Sequence, residues 1–321
     1  AKDRGLEGKY LITLVLPTGH PFLSSLTNRE VRERIMAASR ARGNRGGDWD
    51  NSELVLEITR LRAERAELLG FESHAAWVIA DETAKNPGNV AAMLNRLAIP
   101  AAKNAREEQA DLQALAGHPI EDHDWAYYSE KVRQAKYDVD ESAMRPYFEA
   151  ERVLQDGVFF AATKLYGITF TERPDIAAYH PDVRVFEVKN DDGSPVGLYT
   201  LDLYTRDSKR GGAWMNSLIS QSTLLDHPVV VTNNLNVPKP AAGEPTLLTY
   251  DEVNTFFHEF GHALHGLFAR VTYPKFAGTN TYRDFVEFPS QVNEMWMLWP
   301  EVLANYAVHH VTGEPMPQEF V

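Results

Sequence analysis

The chain has 321 residues, 32 of them basic and 45 acidic, a formal charge of −13, and no cysteine. That excludes disulfides, thiolate metal sites and a cysteine nucleophile, and the acidic balance, with no basic-aromatic motif, argues against a nucleic-acid-binding module. At 44% hydrophobic residues the chain can build a substantial core, as one large or two ordinary domains.

In chain order, the first apolar run is Tyr10 to Leu16, ended by Pro17. It fits a secretory leader poorly and predicts a buried strand. No stretch approaches the roughly 18 apolar residues of a membrane span. Residues 28 to 166 read mostly as helix. Arg40 to Gly47 is rich in Arg and Gly but lacks the Gly-Lys-Ser/Thr ending of a phosphate loop, so it reads as a surface loop. Leu54, Ile58, Leu61, Leu68 and Leu69 lie near helical spacing with Arg and Glu between them. Asn51 or Ser52 is placed to cap that helix and Gly70 to end it. Ala91 to Leu115 is a second long Ala/Leu pattern, preceded by Asn86-Pro87-Gly88. Pro100 should kink or split it. Glu107-Glu108 reads as a solvated helix face. A further helix, Glu149 to Tyr166, stops at Gly167.

The texture then changes. Val183 to Val188 and Val196 to Leu203 alternate as strands, and Asn190 to Ser194 between them is a hairpin turn. Pro228 to Leu235 is another strand, and Pro238 to Pro245 a Pro/Gly loop. Helical patterns return at about 250–269 and 284–309. The expected architecture is mainly α with a small β-sheet: a helical part over 1–167, then the sheet and site-carrying helices over 168–321.

His258-Glu259-Phe260-Gly261-His262 is an HExxH pattern inside the last-but-one helical run. On a helix, positions i and i+4 share a face, so His258 and His262 can offer two imidazole nitrogens to one ion. Glu259 follows the first ligand and projects beside the metal, as a general base acting on water would. The alternative is a helix bearing two solvated histidines. Against it, Phe256, Phe257, Phe260, Ala263, Leu264 and Leu267 make the helix apolar around most of its circumference. Such a helix is buried, and the His and Glu inside it need partners. Two His leave a tetrahedral site short of a protein ligand. Glu287, 25 residues after His262, is a candidate third ligand; Asp284 and Glu287 also have capping-box spacing, so a helix-cap role competes. Pro289 would sit in the early turns of that helix and distort it. Glu294, two turns further on, is a candidate acceptor for a ligand histidine's other ring nitrogen; a surface carboxylate is the alternative. With no thiolate available, His and Glu must hold the metal.

These segments together resemble one family. His258 to Gly266, Gly278-Thr279-Asn280 and Arg283 to Gln291 look like the thimet-oligopeptidase family of zinc metallopeptidases. So do Leu69-Gly70-Phe71 with Ala75-Ala76-Trp77, Tyr179 to Val183, Asp207 to Met215 and Lys239 to Pro245, so the likeness spans essentially the whole chain. The resemblance implies one zinc ion held by His258, His262 and Glu287, with Glu259 as catalytic base. It implies a two-lobed helical shell around a deep channel that admits short unstructured peptides. The implied activity is that of a peptidyl-dipeptidase, which releases C-terminal dipeptides. An endo-oligopeptidase and a catalytically incomplete zinc- or peptide-binding unit are the alternatives. A monomer is expected, cytoplasmic with a periplasmic location as the alternative, because a periplasmic protein can also lack cysteine, and with no nucleic-acid or membrane partner. The resemblance also implies that the chain is an internal portion of a longer peptidase, because the family's Gly- and Tyr-rich substrate-binding segment has no counterpart here. Tyr306, His309 and His310 read as ordinary helix residues. Gly211, Gly212, Ala213 and Trp214 fit either an edge strand that binds extended peptide by main-chain hydrogen bonds or a bulged hairpin strand. His265 reads as a core histidine.

Overall fold

The computed structural model of the chain describes residues 5–14, 22–137 and 141–321. It divides into two compact units, Ala1–Val139 and Asp140–Val321.

The first unit is helical: α1 (Phe22–Ser25), α2 (Arg29–Arg40), α3 (Ser52–Leu68), α4 (His74–Ile79), α5 (Pro87–Ala116) and α6 (Asp122–Tyr137). Side-chain caps set the starts of α2, α4 and α5, whereas Asn51 precedes α3 without a side-chain capping bond. Asn28 Oδ1 accepts from Val31 N at 3.1 Å, Ser73 Oγ from Ala76 N at 3.1 Å, and Asn86 Oδ1 from Asn89 N at 2.9 Å, each satisfying a donor the first turn leaves open. Gly117 ends α5 at φ 71°, a conformation that costs other residues dearly. α5 is not split at Pro100 but runs through it. One lost backbone bond costs about 3 kcal/mol, which the remaining turns of this Ala- and Leu-rich helix outweigh. The run from Tyr10 is not a buried strand. Residues 10–14 form no strand and Tyr10 and Leu11 are exposed, since no described strand pairs with them; residues 15 and 16 lie outside the described residues.

The second unit is a five-stranded sheet packed against helices. Its strands are β1 (Thr169–Glu172), β2 (Val183–Lys189), β3 (Pro195–Tyr204), β4 (Trp214–Ile219) and β5 (Val229–Val237), in the order β1-β2-β3-β5-β4. β3 and β5 pair in parallel and the other pairs are antiparallel. The sheet is preceded by α7 (Glu141–Met144), α8 (Ala150–Arg152), a π-helical stretch Val153–Phe159 and α9 (Phe160–Tyr166). It is followed by α10 (Tyr250–Leu267), α11 (Glu287–Glu294) and α12 (Pro300–Tyr306). Phe159, Phe170, Phe186, Tyr199 and Phe260 meet ring to ring between the sheet and α10. This aromatic core fixes the face that α10 turns to the sheet.

The chain is thus mainly helical with a small mixed sheet. The pattern at 284–309 is not one helix: a 3-10 turn, Met295–Leu298, and an extended Trp299 separate α11 from α12. A residue before proline is driven out of the helical region, and Pro300 follows Trp299. Tyr306 closes α12, fully buried, with its hydroxyl donating to Met297 O at 3.0 Å. His309 and His310 are not helix residues; they lie past α12, where His309 N bonds Glu314 O at 2.7 Å and His310 N bonds Pro146 O at 2.8 Å. Among the described residues no helix is long and apolar enough to cross a membrane.

Candidate metal centre

α10 carries the HExxH residues, and its start is fixed by a reciprocal cap. Thr249 Oγ1 accepts from Glu252 N at 3.1 Å, and Glu252 Oε2 accepts from Thr249 N at 2.8 Å. The helix interior is as apolar as its sequence predicts: Val253, Phe256, Phe257, Phe260, Ala263, Leu264 and Leu267 are all buried. Two buried amides clamp its backbone. Asn233 of β5 donates to Glu259 O at 2.7 Å, and Asn293 of α11 donates to Phe257 O at 2.6 Å.

Gly261 lets α11 cross α10 closely. A Cβ there would lie 2.6 Å from Ser290 Cα and 2.8 Å from Asn293 Cβ, so no other residue fits without moving α11. The close crossing delivers Glu287, the first residue of α11, to the histidines. Val286 precedes the helix without a side-chain capping bond, so Glu287 is not the third residue of a capping box begun at Asp284. Pro289 falls in the first turn of α11, where a backbone N–H has no helical acceptor to lose, and the helix continues through it.

His258 Nε2 lies 3.1 Å and His262 Nε2 3.0 Å from the same Glu287 oxygen, Oε2. On the other side of the His258 ring, Nδ1 is 2.6 Å from Glu294 Oε1. The Ser290 hydroxyl lies 2.8 Å from Glu287 O and 3.2 Å from its Oε2. A neutral imidazole has one N–H, yet His258 presents a carboxylate to each ring nitrogen. A cation between Nε2 and Glu287 resolves this, leaving the N–H at Nδ1 for Glu294. His258, His262 and Glu287 bring one ligand atom each within 4.8 Å of one another. Donors around a tetrahedral ion at 2.0–2.1 Å are about 3.3 Å apart, close to the two observed separations. The donor set and its spacing fit a metal ion.

Glu259 is buried, and its Oε2 has no hydrogen-bond partner. Burial, reinforced by the charge on Glu287 and opposed by His258, pushes its carboxyl up to about 7. Burial likewise holds the His262 and His265 imidazoles below their usual range, which keeps His262 neutral and able to ligate. His265, one turn beyond, is half-buried with Nδ1 unpartnered.

Gly211, Gly212 and Ala213 lie in the loop before β4, and Trp214 opens that edge strand under the Arg210 guanidinium. Among the described residues no hydrogen bond or ion pair joins them to His258, His262 or Glu287. A buried charge cluster anchors their loop. Asp202 accepts from both Arg206 terminal nitrogens at 2.8 Å, from Lys209 Nζ at 3.0 Å and from Tyr179 Oη at 2.9 Å. Lys209 Nζ also reaches the carbonyls of Tyr204 and Leu235. Asn236 Nδ2 holds Arg210 O at 2.8 Å and Gly212 O at 2.6 Å. The sequence reading missed this cluster, Gly261 and the two clamping amides. The available signals were a glycine inside a strongly helical pattern and an Asn pair within the β-branched run of β5.

Comparison with known proteins agrees with this geometry. The sequence profile described as Peptidase family M3 matches residues 22–321. The chain is 45% identical, over 99% of its length, to the dipeptidyl carboxypeptidase of Escherichia coli K12, of which it covers 48%. It is 40% identical, over 100% of its length, to oligopeptidase A of the same organism, covering 49%. It is 31% identical over 96% of its length to a thimet-like oligopeptidase of Dictyostelium discoideum, covering 48%. The chain spans about half the length of the curated relatives it matches, and it belongs to peptidase family M3.

Proposed function

We propose that this chain carries the metal centre of a zinc-dependent peptidase that acts on short unstructured peptides and releases C-terminal dipeptides. One observation carries the reading: His258 Nε2 and His262 Nε2 of α10 converge on a single oxygen of Glu287, at 3.1 and 3.0 Å, and α10 also holds a buried Glu259 whose Oε2 has no hydrogen-bond partner. His258, His262 and Glu287 would hold the ion, which when bound polarises water and the scissile carbonyl. Glu294 fixes the His258 tautomer by accepting from Nδ1. Glu259 takes a proton from the attacking water at its carboxylate and returns it to the leaving nitrogen. A buried carboxyl pushed up to about 7 is poised to do both near neutral pH.

Dipeptide release rests on the likeness to a protein named dipeptidyl carboxypeptidase at 45% identity. Endo-cleavage is favoured by the likeness to oligopeptidase A at 40%. The zinc-loaded chain, incubated with a peptide and its C-terminal amide, separates the two by mass spectrometry of the products. Dipeptide release from the free peptide alone is expected. Internal cleavage of both peptides would replace the reading by endo-cleavage, and cleavage of neither would reduce it to zinc and peptide binding. Failure to retain about one zinc per chain would overturn it.

A further inference from the structure

The first unit holds a groove that the metal centre does not use. It is a cavity of ≈ 750 Å³ between α2 and the start of α6. Its α2 wall is one helix face, on which Glu33, Ala37, Arg40 and Ala41 recur at spacings of three and four. Ala37 and Ala41 carry nothing beyond Cβ, so the floor is hollow between an acid on one side and a guanidinium on the other. Glu121, Asp122 and His123 form the α6 wall.

Part of this lining is uncommitted. Glu33 and Glu121 are exposed, and their side chains have no hydrogen bond or ion pair among the described residues. Arg40, 72% exposed at its side chain, gives only Nη1 to Asp122, which leaves Nε and Nη2 as donors. His123 is the reverse case: it is 7% exposed, and its Nε2 is buried without a partner. Its Nδ1 faces Asp122 Oδ1 at 3.4 Å, which draws the ring N–H to that side and leaves Nε2 as an acceptor. The carboxylate oxygen nearest Nε2, Asp124 Oδ2 at 3.7 Å, already accepts from Arg29 and from Glu121 N. A buried acceptor without a donor is destabilising, and a ligand N–H in the groove would satisfy it.

We propose that this groove binds a zwitterionic dipeptide, with its ammonium on Glu33 and Glu121, its carboxylate on Arg40 and its amide N–H on His123 Nε2. The span selects the ligand. Arg40 follows Glu33 by seven positions, about 10.5 Å along the helix. Both side chains lean toward the helix N-terminus, so the spacing carries over to their charged ends. A charge-assisted hydrogen bond of about 2.8 Å at each end leaves about 5 Å between the ligand's charges. One amino acid separates its nitrogen from its carboxyl carbon by about 2.5 Å, and each further residue adds about 3.5 Å. A dipeptide therefore spans about 6 Å and a tripeptide about 9.5 Å, and the dipeptide fits. The site goes beyond the peptidase reading and stands without it; under that reading its ligand is of the product's class.

The test is calorimetric titration of the whole chain, stripped of metal by a chelator, with Ala-Ala, alanine, Ala-Ala-Ala, N-acetyl-Ala-Ala and Ala-Ala amide. Ala-Ala should bind most tightly. Acetylation or amidation should each weaken it about tenfold or more, because each removes one charge-assisted contact. Glu33→Gln and Arg40→Gln, both at exposed positions, should weaken Ala-Ala binding by a similar factor. Ala37→Leu suits the helix but fills the floor, and should do the same while circular dichroism stays unchanged. No binding of Ala-Ala, or binding untouched by all three substitutions, overturns the site. Alanine or Ala-Ala-Ala binding as tightly as Ala-Ala overturns the dipeptide assignment. None of these outcomes depends on zinc, so the peptidase reading is tested separately.

Discussion

His258 faces a carboxylate from each ring nitrogen, Glu287 on Nε2 and Glu294 on Nδ1, while His262 has a partner only at Nε2. That asymmetry divides the work among the acids. Glu287 supplies charge where two imidazoles converge, so Glu287→Ala removes one of three donors and the negative charge. Zinc should then be lost on dialysis against a mild chelator, and stoichiometric retention would remove Glu287 from the ligand set. Glu259 plays no part in that balance. Its burial already disfavours the charged form, so the neutral, isosteric Glu259→Gln fits the site without a folding cost. Zinc should stay bound, and peptide hydrolysis should fall by about 10²–10⁴-fold. Near-normal turnover would take the base role away from Glu259.

At the scale of elements, the site exists because α11 crosses α10 at Gly261. Gly261→Ala would gain up to about 1 kcal/mol in helix propensity. Against that, its Cβ would meet Ser290 Cα, a backbone atom, at 2.6 Å, and overpacking of this kind costs about 1–3 kcal/mol. The clash wins, and because Glu287 lies one turn before Ser290, moving α11 withdraws the Glu287 carboxylate from His258 and His262. Zinc titration should show weaker binding while circular dichroism keeps the helical content; unchanged zinc affinity would mean that the crossing does not position Glu287. This also shows what a sequence can and cannot disclose. A candidate metal site shows as particular side chains at helical spacing, so His258 and His262 stood out, and Glu287 and Glu294 followed as the carboxylates such a pair would need. Gly261 occupies a position that the motif leaves open, and Asn233 and Asn293 look like ordinary polar residues until a neighbouring backbone carbonyl needs a donor. The hairpin of β2 and β3 announced itself through alternation and its turn. β1 did not, because it has four residues and a single strand partner. The break before α12 lay in plain view as Trp299-Pro300, but the apolar periodicity continued across it.

At the scale of the whole molecule, each compact unit contains a buried carboxylate ringed by cations. In the first, Asp124 is held by Arg29 at 2.6 Å and Arg32 at 2.8 Å. In the second, Asp202 is held by Arg206, Lys209 and Tyr179. Burial alone would raise both carboxyls; the hydrogen bonds and charges of these partners win and hold both below the usual carboxylate range. An unfolded aspartate titrates near 3.9. A depressed folded value therefore contributes stability that is complete above the unfolded value and is lost as pH falls through the folded one. Asp202→Asn leaves Lys209, whose side chain is 4% exposed, as a buried charge without its counter-ion, a loss of about 3 kcal/mol at neutral pH. Urea unfolding should accordingly show a lower midpoint for Asp202→Asn at pH 7. The gap to the unaltered chain should close as pH falls below about 4, because acid neutralises Asp202 in the unaltered chain too. Asp124→Asn should behave the same way in the first unit. A gap that stays constant from pH 7 to acid would mean that the carboxylates are not charged partners in the folded chain, and that packing alone holds the loop leading into β4.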